Sequence, residues 1–100
     1  MRAIVYIGRA GCTSCTRLRL ESIEPLKELY PDNVEIHSGY DGKIAEVNAR
    51  QTIDKIPLIV VEKDGVEEFR YHGWMNLKDL ENIILCEQET LTLEEVFKWR

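Results

Sequence analysis

Two cysteines, Cys12 and Cys15, are separated by two residues and follow the first apolar run of the chain. This spacing suits a redox-active dithiol, half of a metal site, or two thiols that only pack. A closed zinc site needs four ligands. The third cysteine, Cys86, and the histidines, His37 and His72, supply no second paired spacing. The residue types therefore favour the dithiol, and the metal or cluster site and the packed thiols stay open as alternatives.

Composition narrows the functional class. The chain has 100 residues, enough for one small domain, and a formal net charge of −5. Because nucleic-acid binding usually needs a basic face, no nucleic-acid partner is expected. The opening apolar run is too short to span a membrane and has no signal-peptide cleavage site. An odd number of cysteines does not suit a secreted disulfide framework. We expect a cytoplasmic protein without a membrane partner.

Four apolar runs have the pattern of β-strands. They occupy residues 3–7, 34–37, 58–61 and 66–71. The first run is apolar and mostly β-branched, which indicates a strand buried on both faces. The last two are joined by Asp64-Gly65, a dipeptide that favours the positive φ angles of a tight hairpin turn.

Apolar residues at helical spacing fill the segments between these strands and follow the hairpin. The first helix begins near Thr13, and Pro25 is expected to kink or divide it near Glu21. Asp41 and Asn76 are the expected N-caps of the two later helices. The order βαβα followed by ββα predicts an α/β fold in which a mixed four-stranded sheet has helices on both faces.

Residues 87–100 are expected to form a short helical extension to a domain that spans residues 1–86. Thr92 followed by Glu95 has the spacing of a capping box. The apolar side chains of an amphipathic helix follow the cap: Leu93, Val96, Phe97 and Trp99. The extension either packs on its own domain or offers a docking face to a partner or a second copy.

The strand-to-helix position of the cysteines suggests how they react. Cys12 is expected at or near the N-cap, where free N–H groups and the helix dipole stabilise a thiolate. Thr13 and Ser14 offer hydroxyl hydrogen bonds. The predicted reaction is attack by Cys12 on a substrate disulfide, after which the more buried Cys15 attacks Cys12 and releases the reduced substrate.

The chain resembles the thioredoxin/glutaredoxin group of thioredoxin-fold proteins over about residues 2–85. Three features carry the resemblance: the strand, loop and C-x-x-C, the run "ARQTIDKIPLIVVEKDG", and Gly73 before the last helix. It implies that the Ile56–Pro57 bond is cis and faces the dithiol, and that the Ile56 backbone binds the substrate chain. It also implies that Gly73 lies beside the substrate groove.

The chain departs from both parent groups. Gly11, Thr13 and Ser14 replace the tryptophan, glycine and proline of the thioredoxin motif, and Leu58 replaces the threonine after the cis-proline. Tyr6 stands where thioredoxins carry a buried aspartate, which leaves the proton acceptor for Cys15 unassigned. The opening "IVYIGRAGC" is closer to glutaredoxins, although their Pro-Tyr and Gly-Gly elements are absent. Such short hybrid forms resemble small viral or archaeal proteins.

The leading hypothesis is a monomeric protein-disulfide reductase that needs no cofactor and no metal. Its partners would be disulfide-containing proteins and either a thioredoxin reductase or a glutathione-type reductant. The alternatives are a redox-inactive binding module and, less favoured, a metal or cluster protein.

Three side chains outside the dithiol leave more than one interpretation. Trp74 either lines the substrate groove or packs the last helix against the sheet. For His37 and His72, exposure or a satisfied core position is expected. Cys86 is expected to be a buried structural thiol, with a regulatory disulfide as the alternative.

Overall fold

The structure, a computed structural model, describes residues 1–99, so Arg100 of the predicted extension lies outside the described residues. The strands are β1 (Ala3–Gly8), β2 (Val34–Ser38), β3 (Leu58–Lys63) and β4 (Val66–His72). The helices are α1 (Thr13–Leu18), α2 (Glu24–Leu29), α3 (Gly42–Arg50), α4 (Leu77–Leu85) and α5 (Leu93–Lys98). The predicted order, βαβα then ββα with a C-terminal helix, is confirmed.

The four strands form one mixed sheet in the order β2-β1-β3-β4. Strand β1 pairs parallel with β2 and antiparallel with β3, which pairs antiparallel with β4. Asp64 and Gly65 turn the β3–β4 hairpin with φ angles of 53° and 80°, as the dipeptide predicts. The predicted mixed four-stranded sheet is therefore confirmed.

Strand β1 divides the core into two layers because successive side chains point to opposite faces. Ile4 and Tyr6 face a cluster that contains the buried residues of α1, α2, α4 and α5. Val5 and Ile7 face a smaller cluster around Val47 of α3. Helices thus cover both faces of the sheet, as predicted.

The first helical segment is divided close to the predicted position. A π-helical turn, Arg19–Ile23, separates α1 from α2, and the N–H of Glu24 donates to the Arg19 carbonyl. Pro25 has no N–H for the carbonyl four residues earlier, that of Glu21. The wider turn therefore carries the chain past the missing hydrogen bond without ending the helical path.

The segment before α5 is anchored to the domain by buried charge. Arg2, 1% exposed, forms an ion pair with Glu68 and donates to the carbonyls of Cys86 and Gln88 at 2.7 and 2.8 Å. The same Glu68 carboxylate accepts a bond of 3.2 Å from the Leu91 N–H. The tail therefore packs on its own domain, which is the first of the two arrangements considered for it.

Leu91 is 1% exposed, so we expect Leu91→Ala to lower the free energy of unfolding by about 2–5 kcal/mol through lost burial and a cavity. Urea denaturation measures the change. The neighbouring exposed residue supplies the control, since Thr90→Ala should change stability by less than about 0.5 kcal/mol. Equal effects of the two substitutions would show that the segment before α5 contributes no side chain to the hydrophobic core.

His37 lies between two carboxylates at the end of β2. Its Nδ1 is 2.6 Å from Asp41 Oδ2, and its Nε2 is 2.9 Å from Glu35 Oε1. Burial alone lowers the pKa of His37, but the hydrogen bonds to Glu35 and Asp41 outweigh it, and the net pKa is raised above the ordinary 6.5. Protonated His37 therefore stabilises the folded chain below its unfolded pKa, and this contribution is lost as the pH rises through the folded pKa.

We accordingly expect wild-type stability to fall by about 0.5 kcal/mol between roughly pH 6 and pH 8.5 through this group. Thermal unfolding across that range measures the loss. His37→Asn should remove this part of the pH dependence, whereas His72→Asn should retain it. An unchanged pH profile in His37→Asn would exclude the proposed stabilisation by His37.

Candidate active site

Strand β1 and helix α1 together position the two cysteines. Cys12 is the N-cap of α1 with extended backbone angles, and Cys15 lies one turn into the helix. They form a disulfide across a Cα separation of 5.2 Å. Cys15 is 1% exposed whereas Cys12 is half-buried, which matches the expected assignment of an accessible first sulfur and a buried second one.

One backbone N–H and one hydroxyl lie beside the Cys12 sulfur. The backbone N–H of Cys15 donates to Cys12 Sγ at 3.2 Å, and Ser14 Oγ lies 3.5 Å from the same atom. Within residues 1–99 no hydrogen bond joins Thr13 to this sulfur. A thiolate here would accept from fixed backbone and hydroxyl donors, the arrangement that stabilises the anionic form.

Two arginines close to the cysteines in sequence have other partners. Arg17 pairs with Glu21 at 3.2 Å and lies 5.4 Å from the centre of the Trp74 ring. Arg19 pairs with Glu24. Neither guanidinium has the Cys12 sulfur among its contacts, so local hydrogen bonds account for stabilisation of the sulfur more directly than these cations do.

Distant parts of the chain complete a groove of about 240 Å³ beside the dithiol loop. The Ile56–Pro57 bond is cis. Both residues of that bond line the groove. The other lining residues are Ser14, Arg17, Lys55, His72, Gly73 and Trp74. The structure thus brings together most of the residues predicted to bind substrate, while Thr13 does not line this groove. Their roles stay predictions.

Gly73 and Trp74 form one wall of the groove. Gly73 has a φ of 123°, a backbone conformation that favours glycine, and its N–H donates to the Pro57 carbonyl at 3.2 Å. Trp74 is 41% exposed, and its Nε1 donates to Glu21 Oε1 at 3.1 Å. The adjacent Met75 is fully buried. Met75 therefore provides the core packing next to the last helix, and the Trp74 ring stays at the groove.

The Tyr6 side chain contacts the backbone of the buried cysteine. Its buried hydroxyl donates to the Cys15 carbonyl at 2.9 Å, and burial raises the pKa of Tyr6 above its ordinary value. A Cβ at Gly8 would overlap this hydroxyl and lie 2.7 Å from Tyr6 Cζ. The ring occupies space that only glycine at position 8 leaves open. A tyrosine followed two residues later by a glycine in the same strand is the sequence signal for this packing.

This steric dependence predicts non-additive stability changes. Gly8→Ala and Tyr6→Val should each lower the free energy of unfolding by about 2 kcal/mol, through overpacking and through lost burial respectively. The double variant should lose at least about 1 kcal/mol less than the sum, because the smaller side chain leaves room for the new methyl group. Urea denaturation of all four proteins measures the coupling.

A glycine without close neighbours supplies the control for this cycle. A Cβ at Gly42 would meet no atom within 4 Å, so Gly42→Ala combined with Tyr6→Val should be additive. Additivity in the Gly8 cycle as well would contradict the steric contact between Gly8 and Tyr6.

Cys86 and His72 lie outside the dithiol. Cys86 is half-buried at the C-cap of α4, which corrects the expectation of a buried thiol: helix α4 ends at Leu85, so the side chain is only partly covered. His72 is exposed, and its Nδ1 lies 2.9 Å from the Lys55 carbonyl. The part of the chain that the structure describes holds no group of three or more His, Cys, Asp or Glu residues able to bind a metal ion. No helix over residues 1–99 is long and apolar enough to cross a membrane.

Solved structures that are similar to this chain include several thioredoxins. Thioredoxin-2 of the malaria parasite matches with a TM-score of 0.65 at 18% identity, covering 84% of this chain and 81% of that one. The oxidised thioredoxin of Plasmodium falciparum matches with a TM-score of 0.63 at 23% identity, covering 85% and 82%. Fasciola hepatica thioredoxin matches with a TM-score of 0.61 at 25% identity, covering 83% and 78%.

The sequence comparisons give no match to a protein-family model or to a curated protein. The structural similarity shows that the chain has the thioredoxin fold, as the resemblance in sequence implied. A disulfide-bonded C-x-x-C at the start of the first helix of this fold fits a redox role.

Proposed function

We propose that the protein is a thiol–disulfide oxidoreductase that reduces protein disulfides. The observation that carries this proposal is the Cys12–Cys15 disulfide at the start of α1, with the Cys15 N–H directed at the Cys12 sulfur. The accessible sulfur has the donors that stabilise a thiolate, and the buried sulfur is already within bonding reach of it. An oxidised and a reduced state are therefore both compatible with one backbone arrangement.

The reaction proceeds in two exchanges. The Cys12 thiolate attacks one sulfur of the substrate disulfide, forming a mixed disulfide and releasing one substrate thiolate, which takes up a proton. Cys15 then loses its proton, and its sulfur attacks Cys12 Sγ. The bond between Cys12 and the substrate breaks, and the second substrate thiolate leaves and is protonated. The substrate gains two electrons, both from the dithiol, and two protons, one from Cys15 and one from solvent, which took up the Cys12 proton when the thiolate formed.

Tyr6 sets a limit on the proton path. Because burial raises its pKa, Tyr6 is protonated at neutral pH and donates to the Cys15 carbonyl. It therefore does not accept the Cys15 proton in the way a buried carboxylate would. The proton passes to the departing substrate thiolate or to water at the mouth of the groove.

The residues around the groove bind the substrate in this proposal. The Ile56 backbone pairs with the extended substrate chain, while Pro57, Gly73 and Trp74 form the adjacent wall. Ser14 completes the site on the dithiol side. The oxidised protein is then reduced again by a thioredoxin reductase or by a glutathione-type thiol.

The oligomeric state of the protein and its compartment belong to the same proposal. Leu91 and Val96 of the tail are buried against the domain that carries them, although Phe97 and Trp99 stay partly exposed, and this packing supports a monomer. A reducing compartment such as the cytoplasm suits a dithiol that must be recharged after each reaction.

Cysteine substitutions test this function with an insulin-disulfide reduction assay. Cys12→Ser should lower the rate by at least about a thousandfold, because it removes the attacking sulfur. Cys15→Ser should accumulate the mixed disulfide, visible by mass spectrometry. Cys86→Ser should keep the wild-type rate, since that thiol lies at the far end of α4 from the dithiol loop.

Wild-type protein no faster than Cys12→Ser would instead support a redox-inactive binding module. Iodoacetamide trapping across pH gives an independent readout. Reduced Cys12 should react faster near neutral pH than a cysteine in a free peptide, because its thiolate is stabilised. Equal reactivity would remove the basis for an activated nucleophile.

A further inference from the structure

A second cavity, of about 580 Å³, lies on the α3 side of the sheet and is larger than the groove. It opens between the end of β1, the loop before α3, helix α3 and the loop before Pro57. Four isoleucines form its apolar lining: Ile7, Ile44, Ile53 and Ile56. Cavities of roughly 300–1,000 Å³ hold a small ligand or several side-chain groups. The space is sufficient for a bulky apolar side chain with its adjoining backbone.

The walls of this cavity are held by local hydrogen bonds. Asp41 caps α3 through a bond of 2.9 Å from the Ile44 N–H. Asn48 Oδ1 accepts a bond of 2.9 Å from the Ile53 N–H, which holds the following loop against the helix. The cavity is therefore formed in the free protein and does not depend on a ligand to open it.

Ile56 connects the cavity to the dithiol. Ile56 lines both the α3 cavity and the groove beside Ser14 and Trp74. Arg9, which also lines the cavity, comes three residues before Cys12 in the loop that leads to the nucleophile. A chain bound along Ile56 would place its side chains toward these two spaces.

Two free cations lie on the two sides of Ile56. Arg9 is exposed at the α3 cavity, and Lys55 is exposed at the groove. Neither side chain has a hydrogen-bonding or ion-pairing partner among residues 1–99, in contrast to Arg17 at the groove, which is paired with Glu21. In a protein with a net charge of −5, this placement favours carboxylates at the dithiol end.

We propose that the α3 cavity is a specificity site for substrate polypeptides that carry a bulky apolar side chain near the reactive cysteine and acidic residues beside it. The apolar side chain enters the cavity, and the carboxylates pair with Arg9 and Lys55. This inference rests on the proposed disulfide exchange and names the substrate class that the exchange prefers.

Synthetic peptides with one cysteine, activated as the 2-thiopyridyl disulfide, test the preference. Attack by Cys12 on the peptide sulfur forms the mixed disulfide and releases pyridine-2-thione, whose absorbance gives the rate. One set places Leu or Ser at each of the three positions on either side of the cysteine. A second set places Glu or Lys at the same positions. At the best position, Leu over Ser and Glu over Lys should each raise the second-order rate constant of this single exchange with the reduced protein about tenfold.

Matched variants locate the preference. Ala45 lines the cavity, and Ala49 lies one turn further along α3 and does not. Ala45→Trp should bring the Leu-to-Ser ratio to about one, whereas Ala49→Trp should keep the wild-type ratio. Arg9→Glu should remove the preference for Glu over Lys. Lys78→Glu, an equal change of charge on α4, should leave it unchanged.

The possible outcomes distinguish a failure of the specificity site from a failure of the proposed disulfide exchange. Equal rates for Leu and Ser peptides with the wild-type protein would overturn the specificity site while disulfide exchange stands. A preference that survives Ala45→Trp, or one that is lost equally in Ala49→Trp, would also overturn it. If the wild-type protein is no faster than Cys12→Ser on every peptide, the proposed function itself fails. Should Ala45→Trp not fold, the wild-type ratios and the Arg9→Glu ratios decide.

Discussion

Strand β1 must be buried on both faces and paired on both edges, and the rest of the structure is arranged around that requirement. It lies between β2 and β3, with α1, α2, α4 and α5 on one side and α3 on the other. A strand in this position has buried side chains on both faces along the length that it shares with the sheet. It ends at Gly8, four residues before the nucleophile, and a short loop leads from there to Cys12 at the N-cap of α1.

The same strand carries a polar group that contacts the buried cysteine. A tyrosine at position 6 puts a hydroxyl into a mostly apolar layer, which is tolerated because the Cys15 carbonyl accepts its hydrogen bond. That carbonyl lies close to the π-helical turn, where the regular helical ladder is interrupted. The neutral phenol also keeps negative charge away from the buried sulfur. A buried carboxylate in the same place would raise the electrostatic cost of forming a thiolate at Cys15.

Charge is distributed unevenly over this acidic chain. Several basic side chains serve the fold: Arg2 anchors the tail, and Arg50 and Arg70 pair with acidic residues of β3 and β4. Arg9 and Lys55, by contrast, are unpaired within the described part of the chain and lie on either side of Ile56. Cations that hold the fold together are buried or paired, whereas Arg9 and Lys55 remain available to a ligand.

Local sequence was sufficient for the elements and for the dithiol. The apolar run of β1, the Asp64-Gly65 turn, the caps at Asp41, Asn76 and Thr92, and the interruption at Pro25 depend on backbone period and near neighbours, so they could be predicted from the chain alone. Cys12 at a helix start follows from the same local rules. The tertiary structure decided what depends on distant segments and on the volume that side chains leave. It placed Ser14, Pro57 and Trp74 around one groove, joined Tyr6 to the Cys15 carbonyl through the space at Gly8, and left Cys86 half-buried at a helix end. It also opened the cavity beside Arg9, because a gap between α3 and the sheet is set by packing across the domain, which no local pattern of residues encodes.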